Sequence, residues 1–279
     1  VNSISYNSPQ FSVLSDSSIQ DIHLAALEVL RRTGIRFHHP GALEMLKEAG
    51  AFISDGNLVK MPASMVEDAL ATAPSRVILC DRDGEPAVFL EGARTWFGTG
   101  SDCVNYLDPF TGAARPFTLK DIQDSYRLVD ALPNIHFLMS VGIPADVDSA
   151  LTYDVQMANM LEYTTKPLVF VTNDRASCQR AIDMAAAVAG SYEALREQQH
   201  ILLYSEPSSP LQQSETAVDK LLMMAKYELP VVHSPGPQMG AVAPITMAGG
   251  LVMSLAEIMS SLVVHQMVRP GAPFVFGAG

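Results

Sequence analysis

The sequence predicts an α/β protein: a (β/α)8 TIM-type barrel, incomplete here with about six β/α units, preceded by a region of helices and β-hairpins. Three observations lead to this fold class. From Thr95 onward, apolar segments of strand length alternate with segments of helical periodicity. The strands are apolar at consecutive positions, as expected when helices cover a parallel sheet. Before Thr95 this alternation is absent. We therefore expect an N-terminal region at 1–93 and the barrel portion at 94–279.

The N-terminal region carries local start and stop signals for helices and turns. Three helices are predicted, with start signals at Ser15 or Ser18, Pro40 and Pro62. Gly34 ends the first of them in a left-handed conformation. Two hairpins are predicted around the Asp-Gly pairs at 55–56 and 83–84, which lie between short apolar segments.

The barrel portion contains six predicted strands, in the order TWFGTG, HFLMSVGIP, PLVFVTN, HILLYSE, PVVHS and APFVFGAG. Thr118 with Asp121 forms a capping box, and Asn173 or Asp174 caps a later helix. The last predicted helix runs from Leu251 to Met267. One side of it should be buried, with the residues Leu251, Leu255, Ile258, Leu262 and Gln266.

Alternation of this kind fits either a doubly wound sheet or a barrel. The first strand is followed by FGTGSD, which lacks the third glycine of a dinucleotide-binding loop, so a barrel is favoured. A barrel of six units would leave two unpaired apolar edges. We therefore expect this chain to be the N-terminal portion of a longer protein.

Composition excludes several classes of function. The chain has 279 residues, is 48% hydrophobic and 17% charged, and has a formal net charge of −12, which argues against nucleic acid as a partner. Cys80, Cys103 and Cys178 fit no zinc spacing, so no metal site is predicted. No apolar run reaches the roughly 18 residues of a membrane span, and the first residues lack an export signal. We expect a reduced, cytoplasmic protein that does not bind membranes.

Several segments follow one another in a specific order: LEVLRRTGIRF, LKEAGAFIS, LATAPSRVILCDRDG, WFGTGSD, the SPL of SEPSSPLQ, GAVAPITMAGG and VRPGAPFVFG. Together they make nearly the whole chain resemble the trimethylamine methyltransferase family of corrinoid-dependent amine methyltransferases. The resemblance implies a barrel that takes a methyl group from a methylated amine and passes it to the cobalt of a cognate corrinoid protein. The corrinoid is then supplied by that partner, not bound directly. We also expect a homo-oligomer.

Demethylation of an amine requires a positively charged nitrogen held in a fixed orientation. Aromatic faces and carboxylates bind such a cation, and barrel enzymes place them at the carboxyl ends of strands. The predicted catalytic residues are His233, Glu206 and Asp102. The predicted substrate-binding residues are Asn173, Tyr106, Trp96, Gly100 and Ser234. His233 opens the glycine-rich stretch between Pro230 and Gly250, which predicts a shaped loop.

Each candidate also has a structural interpretation. Asp102 can shape its turn, Glu206 can brace the rigid loop that follows it, and His233 can be satisfied by backbone groups. Trp96 suits core packing better than an aromatic cage. Asp174 suits a helix cap better than a ligand.

Two alternatives to the methyltransferase remain. A barrel lyase or decarboxylase acting on a small anion would carry Arg or Lys at strand ends, where only Arg115 and Arg175 come near. A non-catalytic fragment or binding protein is the second alternative. Either donor type, trimethylamine or a quaternary amine such as glycine betaine, fits the methyltransferase.

Overall fold

A computed structural model of the chain describes residues 12–92 and 94–277. The last two residues of the predicted sixth strand, 278–279, and residue 93 at the predicted boundary lie outside the described residues. The described helices are α1 Asp16–Glu28, α2 Pro40–Glu48, α3 Ala63–Thr72, α4 Leu119–Ala131, α5 Thr152–Tyr163, α6 Arg175–Ala189, α7 Tyr192–Glu197, α8 Glu215–Tyr227 and α9 Met247–Val268.

The described strands are β1 Ile35–Phe37, β2 Phe52–Ser54, β3 Leu58–Lys60, β4 Val77–Cys80, β5 Pro86–Leu90, β6 Asn105–Leu107, β7 Ala114–Pro116, β8 Leu138–Met139, β9 Leu168–Phe170, β10 Ile201–Ser205, β11 Gln212–Gln213, β12 Val231–His233 and β13 Phe274–Phe276. The chain is therefore a mixed α/β protein, as predicted. Strands β1, β6, β7 and β11 and helix α7 were not predicted.

The residues predicted to cap helices do so in the structure. The Ser15 hydroxyl, not that of Ser18, caps α1 by accepting a hydrogen bond from Ser18 N at 3.2 Å. Thr118 and Asp121 form the capping box of α4. Asp174, not Asn173, caps α6. These caps satisfy backbone N–H groups that a first helical turn leaves without partners.

The parallel sheet has the strand order β13-β12-β10-β9-β8, so each strand lies beside its neighbour in sequence order. The first predicted strand, TWFGTG, forms only an isolated bridge, in which Gly98 pairs with Phe137. A side chain replaces the regular ladder here: Thr99 Oγ1 donates to Met139 O and accepts from Met139 N, both at 2.8 Å. Within the described residues the sheets do not close on themselves.

The two faces of the parallel sheet pack against different elements. One face joins the main core under the helices, with Leu168, Phe170 and Leu203. The other face carries Met139, Val169 and Leu202, and the β4–β5 hairpin covers it with Val77, Leu79 and Val88. Cys80 N donates to Gln199 O at 2.9 Å and Arg82 N to Thr165 O at 2.7 Å, so the hairpin covers the amino ends of β9 and β10. The opposite, carboxyl end of the sheet stays accessible.

The N-terminal region is tied to the carboxyl end of the sheet. A four-stranded sheet has the order β11-β1-β3-β2, and β11 lies in the connection between β10 and α8. Arg36 pairs with Gln212 and Phe37 with Gln213 in parallel orientation. The connection after β10 is therefore also an edge strand of the N-terminal sheet.

Helix α9 is buried on all sides in its second half, contrary to the one-sided burial predicted for it. Every residue from Ala256 to Gln266 is buried, whereas Leu251 is 40% exposed. By length and composition alone the helix could cross a membrane, with 22 residues and a hydropathy of 1.7. The sequence interpretation overlooked this. Most of the helix lies inside the protein core, where a predominantly apolar helix is expected.

We expect Leu262→Ala in α9 to lower the free energy of unfolding by about 2–5 kcal/mol, because Leu262 is fully buried and truncation leaves a cavity. Denaturant titration measures this change. Leu251→Ala on the same helix is the matched control and should cost much less, since that side chain is exposed. Equal losses for the two variants would contradict the burial described for α9.

Candidate functional site

A cavity of about 460 Å³ lies at the carboxyl ends of β9 and β10. We call it the rim cavity. It is lined by Ser101, Asp102, Tyr153, Val171, Thr172, Asn173, Tyr204, Ser205, Glu206, Pro207, Ser208, Ser214, Thr216, Ala217 and Lys220. Parallel sheets bind ligands at this end because the loops there are free to carry polar side chains. The structure thus brings together three of the predicted residues: Asp102, Asn173 and Glu206.

Asp102 lies in the loop after the isolated bridge, with a left-handed backbone at φ 58°. The loop is fixed by Cys103 N, which donates to Val141 O at 3.1 Å. Ser140 Oγ donates to Asp102 Oδ1 at 3.3 Å. Burial raises the pKa of the Asp102 carboxyl, and hydrogen bonds from Ser140 and Tyr153 only partly oppose this. A carboxylate in such a place gains from a cation that enters the cavity.

Tyr204 reaches the cavity from strand β10, and Glu206 from the residue that directly follows the strand. Residues two apart along an extended chain face the same side, so the side chains of Tyr204 and Glu206 point the same way. The pKa of the Tyr204 hydroxyl is raised by burial and by the nearby Glu206 charge. Tyr153, from α5, likewise has a raised pKa because of burial and the Asp102 charge. Both phenols therefore stay neutral, and the Tyr153 hydroxyl hydrogen-bonds to the Asp102 carboxyl.

Glu257 in α9 holds the connection after β10 in place. Its buried carboxylate accepts hydrogen bonds from Ser209 Oγ at 2.8 Å and from Leu211 N at 2.7 Å. The Gln213 side chain donates to Glu257 O at 3.0 Å. Burial raises the pKa of the Glu257 carboxyl, and the two donors oppose the shift. Glu257 thus fixes the loop that carries Pro207 and Ser208 of the rim cavity.

Lys220 is the cationic residue that lines the rim cavity, and the sequence interpretation missed it. Its side chain is only 8% exposed, and Nζ donates to Thr172 O at 2.8 Å. Arg115 and Arg175, the basic residues considered from the sequence, do not line the cavity. Arg115 pairs with Asp121 and Asp108, and Arg175 pairs with Asp219 at 3.0 Å.

The predicted aromatic residues lie away from the rim cavity. The Trp96 indole N–H donates to Phe89 O at 2.8 Å, and its ring packs edge-on against His136. The Tyr106 ring packs against Phe117, and the Arg115 guanidinium lies 4.7 Å from its centroid. Both rings are therefore already engaged, Trp96 beside the β4–β5 hairpin and Tyr106 within the β6–β7 hairpin.

His233 is fully buried and does not line the rim cavity. It pairs in register with Ser205 and Phe276, so it lies on the helix-covered side of the sheet. Burial lowers the pKa of its imidazole to about 3, which keeps the ring neutral. Neither ring nitrogen has a hydrogen-bond partner among the described residues. A catalytic role for His233 stays a prediction.

Gly100 and Ser234 lie next to residues that line the rim cavity. Gly100 immediately precedes Ser101 and has open space where a Cβ would lie. Ser234 N donates to Ser205 O at 2.9 Å. The glycine-rich stretch continues from Ser234 into a loop with exposed apolar residues, among them Ile245 at 83% exposure, before α9 begins at Met247. Among residues 12–92 and 94–277, no three His, Cys, Asp or Glu side chains come together as a metal site.

Two carboxylates and two tyrosines around one cavity suit a positively charged nitrogen. The carboxylates supply the charge, and the ring faces attract a cation through their quadrupoles. Bulky methyl groups on the nitrogen would contact the rings and Val171. The arrangement supplies binding and orientation more than acid–base chemistry.

The sequence model described as Trimethylamine methyltransferase (MTTB) matches residues 1–279. Trimethylamine methyltransferase MttB of Desulfitobacterium hafniense is 31% identical, over 95% of this chain and 53% of its own length. The Methanosarcina barkeri protein of the same name is 29% identical, over 98% and 56%.

A glycine betaine methyltransferase of Desulfitobacterium hafniense is 23% identical, over 97% of this chain and 56% of its own length. The chain thus spans about half the length of the curated relatives it matches. The family match covers every residue of the chain. The chain therefore belongs to the trimethylamine methyltransferase family.

Proposed function

We propose that this chain forms the methyl-donor site of a methyltransferase that transfers a methyl group from a methylated amine to the cobalt of a cognate corrinoid protein. The rim cavity carries the proposal, because it brings Asp102, Glu206, Tyr153 and Tyr204 around one space. Family membership supports the reaction type. The donor is a small methylated amine, either trimethylamine or a quaternary amine such as glycine betaine.

We further propose that the parallel sheet is part of a TIM-type barrel that begins near residue 94. The strand order, which follows the sequence order, supports this architecture. So does the position of the cavity at the carboxyl ends of the strands. Three free cysteines, Cys80, Cys103 and Cys178, support a reducing compartment such as the cytoplasm.

In this mechanism the chain binds and orients the donor. A corrinoid from the partner protein supplies the nucleophile. The methyl carbon is transferred and the electron pair of the C–N bond stays on nitrogen, so the positive charge there disappears. Asp102 and Glu206 therefore stabilise the bound ammonium more than the transition state. The tyrosine rings keep the methyl groups in a fixed direction and exclude water.

Asp102→Asn and Glu206→Gln are expected to weaken binding of tetramethylammonium about tenfold each, ~1.4 kcal/mol, because each removes one negative charge from the cavity. Titration calorimetry measures the affinity. Methyl transfer to free reduced cobalamin should show a raised KM with a smaller change in kcat. Glu215→Gln removes an exposed charge in the first turn of α8, outside the cavity, and should change neither value.

The proposal fails if the unmodified protein binds no methylated ammonium compound. It also fails if Glu215→Gln weakens binding as much as the two cavity variants do. In that case general surface charge, and not the rim cavity, would attract the cation.

A further inference from the structure

The rim cavity has two halves with different chemistry. Alternation along β10 places Tyr204 and Ser205 on opposite faces of the sheet. Tyr204 packs on the hairpin side, whereas Ser205 shares its face with Leu203 of the main core. We call the part of the cavity around the acidic and aromatic residues Asp102, Tyr153, Tyr204 and Glu206 the inner half: Tyr204 lies on the hairpin side of the sheet, and Tyr153 hydrogen-bonds to Asp102. The outer half lies between the strand ends and α8, and it contains Thr172, Ser205, Ser214, Thr216 and Lys220.

The outer half contains a buried cation without a paired carboxylate. Lys220 Nζ makes one hydrogen bond, to Thr172 O, although an ammonium has three protons to donate. Burial lowers the pKa of Lys220. The charges of Glu206 and Asp174 oppose this shift, but no carboxylate of the described residues lies within 4.0 Å of Nζ. The neighbouring Cys178 thiol stays neutral, because burial raises its pKa to about 12. A buried cation in this state gains free energy from an anion that enters the cavity.

Two buried hydroxyl groups in the outer half also lack partners. Ser205 is 2% exposed and its Oγ makes no hydrogen bond. Thr172 Oγ1, at 4% exposure, has no nitrogen or oxygen partner and lies beside the Cys178 thiol. Buried polar groups are normally satisfied, so unpartnered ones in a cavity wall indicate a polar ligand. The amino end of α8, capped by Ser214, adds a positive partial charge on the same side.

We propose that the outer half is a carboxylate subsite and that Lys220 selects methyl donors carrying a carboxylate group. The donor is then a zwitterion: its quaternary ammonium lies in the inner half and its carboxylate bonds to Lys220 and Ser205. This inference rests on the proposed function, because it names the donor of the same reaction. Trimethylamine has no group that could satisfy the polar atoms of the outer half.

The test compares three probes in titration calorimetry: glycine betaine, 4-(trimethylammonio)butanoate and tetramethylammonium, which lacks a carboxylate. At least one carboxylated probe should bind ten times more tightly than tetramethylammonium to the unmodified protein. Lys220→Met keeps the aliphatic stem and should abolish this preference by weakening the carboxylated probes, whereas tetramethylammonium should bind at least as tightly, because a positive charge leaves the cavity. The ratio of affinities is the decisive readout, because a purely structural role of Lys220 would change all three affinities together.

Two further variants keep the test independent of folding. Ser205→Ala removes an unpartnered hydroxyl, so it should leave the thermal midpoint unchanged and reduce the preference about threefold. Lys226→Met removes an exposed charge from the same helix and should change nothing.

The possible failures are distinguishable. If tetramethylammonium binds but no carboxylated probe binds more tightly, or if Lys220→Met keeps the preference, the subsite is refuted and the proposed function stands. If acetate binds and no ammonium compound does, both are refuted and the anion-binding alternative is favoured.

Discussion

Lowering the pH from 7 to 5 is expected to reduce the free energy of unfolding by about 4 kcal/mol through two buried histidines. His233 and His265 are fully buried, and burial lowers the pKa of each to about 3. Both rings are neutral in the folded protein and take up a proton on unfolding below pH 6.5. Their contribution to stability is therefore complete above pH 6.5 and is lost as the pH falls towards 3. Each histidine contributes about 1.4 kcal/mol per pH unit in that window.

Urea denaturation at several pH values between 5 and 7 measures this slope. His265→Leu should roughly halve the slope, because it removes one of the two buried imidazoles. The variant keeps an apolar contact with Phe274 but loses the 3.2 Å contact of His265 Nδ1 with Gln266 Nε2, so the slope and not the absolute stability is compared. His38→Gln changes an exposed histidine and is the matched control. A slope that His265→Leu leaves unchanged would show that other groups dominate the acid sensitivity.

Glu257→Ala is expected to lower the free energy of unfolding by about 2–4 kcal/mol and to weaken donor binding in the rim cavity. The variant leaves Leu211 N without its 2.7 Å acceptor and Ser209 Oγ without its 2.8 Å acceptor. The loop that carries Pro207 and Ser208 would then lose its fixed position. Denaturant titration and calorimetry with tetramethylammonium measure the two effects separately.

Glu257→Gln is the conservative variant for the same position. It keeps one acceptor oxygen and the side-chain volume, so it should cost clearly less than Glu257→Ala. Because burial raises the pKa of Glu257, the folded state holds this proton more tightly than the unfolded state. The charged carboxyl therefore lowers stability above pH 4.5, and that cost disappears on acidification, opposite to the histidines. If both variants bound tetramethylammonium normally, Glu257 would have no role in shaping the cavity.

Local signals in the sequence predicted most of the fold. The capping box at Thr118 and the cap at Asp174 depend on residues three positions apart, which the sequence displays directly. The pairing of Gln212 with Arg36 could not be predicted, because a two-residue strand arises from tertiary contact and not from local propensity. Burial around α9 was also missed, because its nearly uniform apolar sequence carries no periodic signal that selects one face.

The candidate site was predictable where strands supply it. Asn173 and Glu206 follow strands, and the rule that ligands meet strand ends located both of them in the rim cavity. Tyr153 and Lys220 come from helices α5 and α8. Their positions in the sequence do not show that their side chains extend to the cavity at the strand ends. The burial of His233 could have been predicted from the alternation of side chains along β12. Val232 points to the hairpin side of the sheet, so the next residue, His233, points to the side covered by helices.

Residues 206–213 form part of the cavity wall and also an edge strand beside β1. This double role restricts the changes of sequence and length that relatives can accept in this segment. The segment is anchored by β10 at one end and by its parallel pairing with Arg36 and Phe37 at the other. An insertion or deletion between the two anchors would shift the pairing by one residue and reverse the directions of the side chains. New substrate preferences should therefore arise there by residue replacement at constant length. Length variation among homologues should gather instead in the turn at 108–113, which joins β6 to β7 and is exposed from 109 to 113.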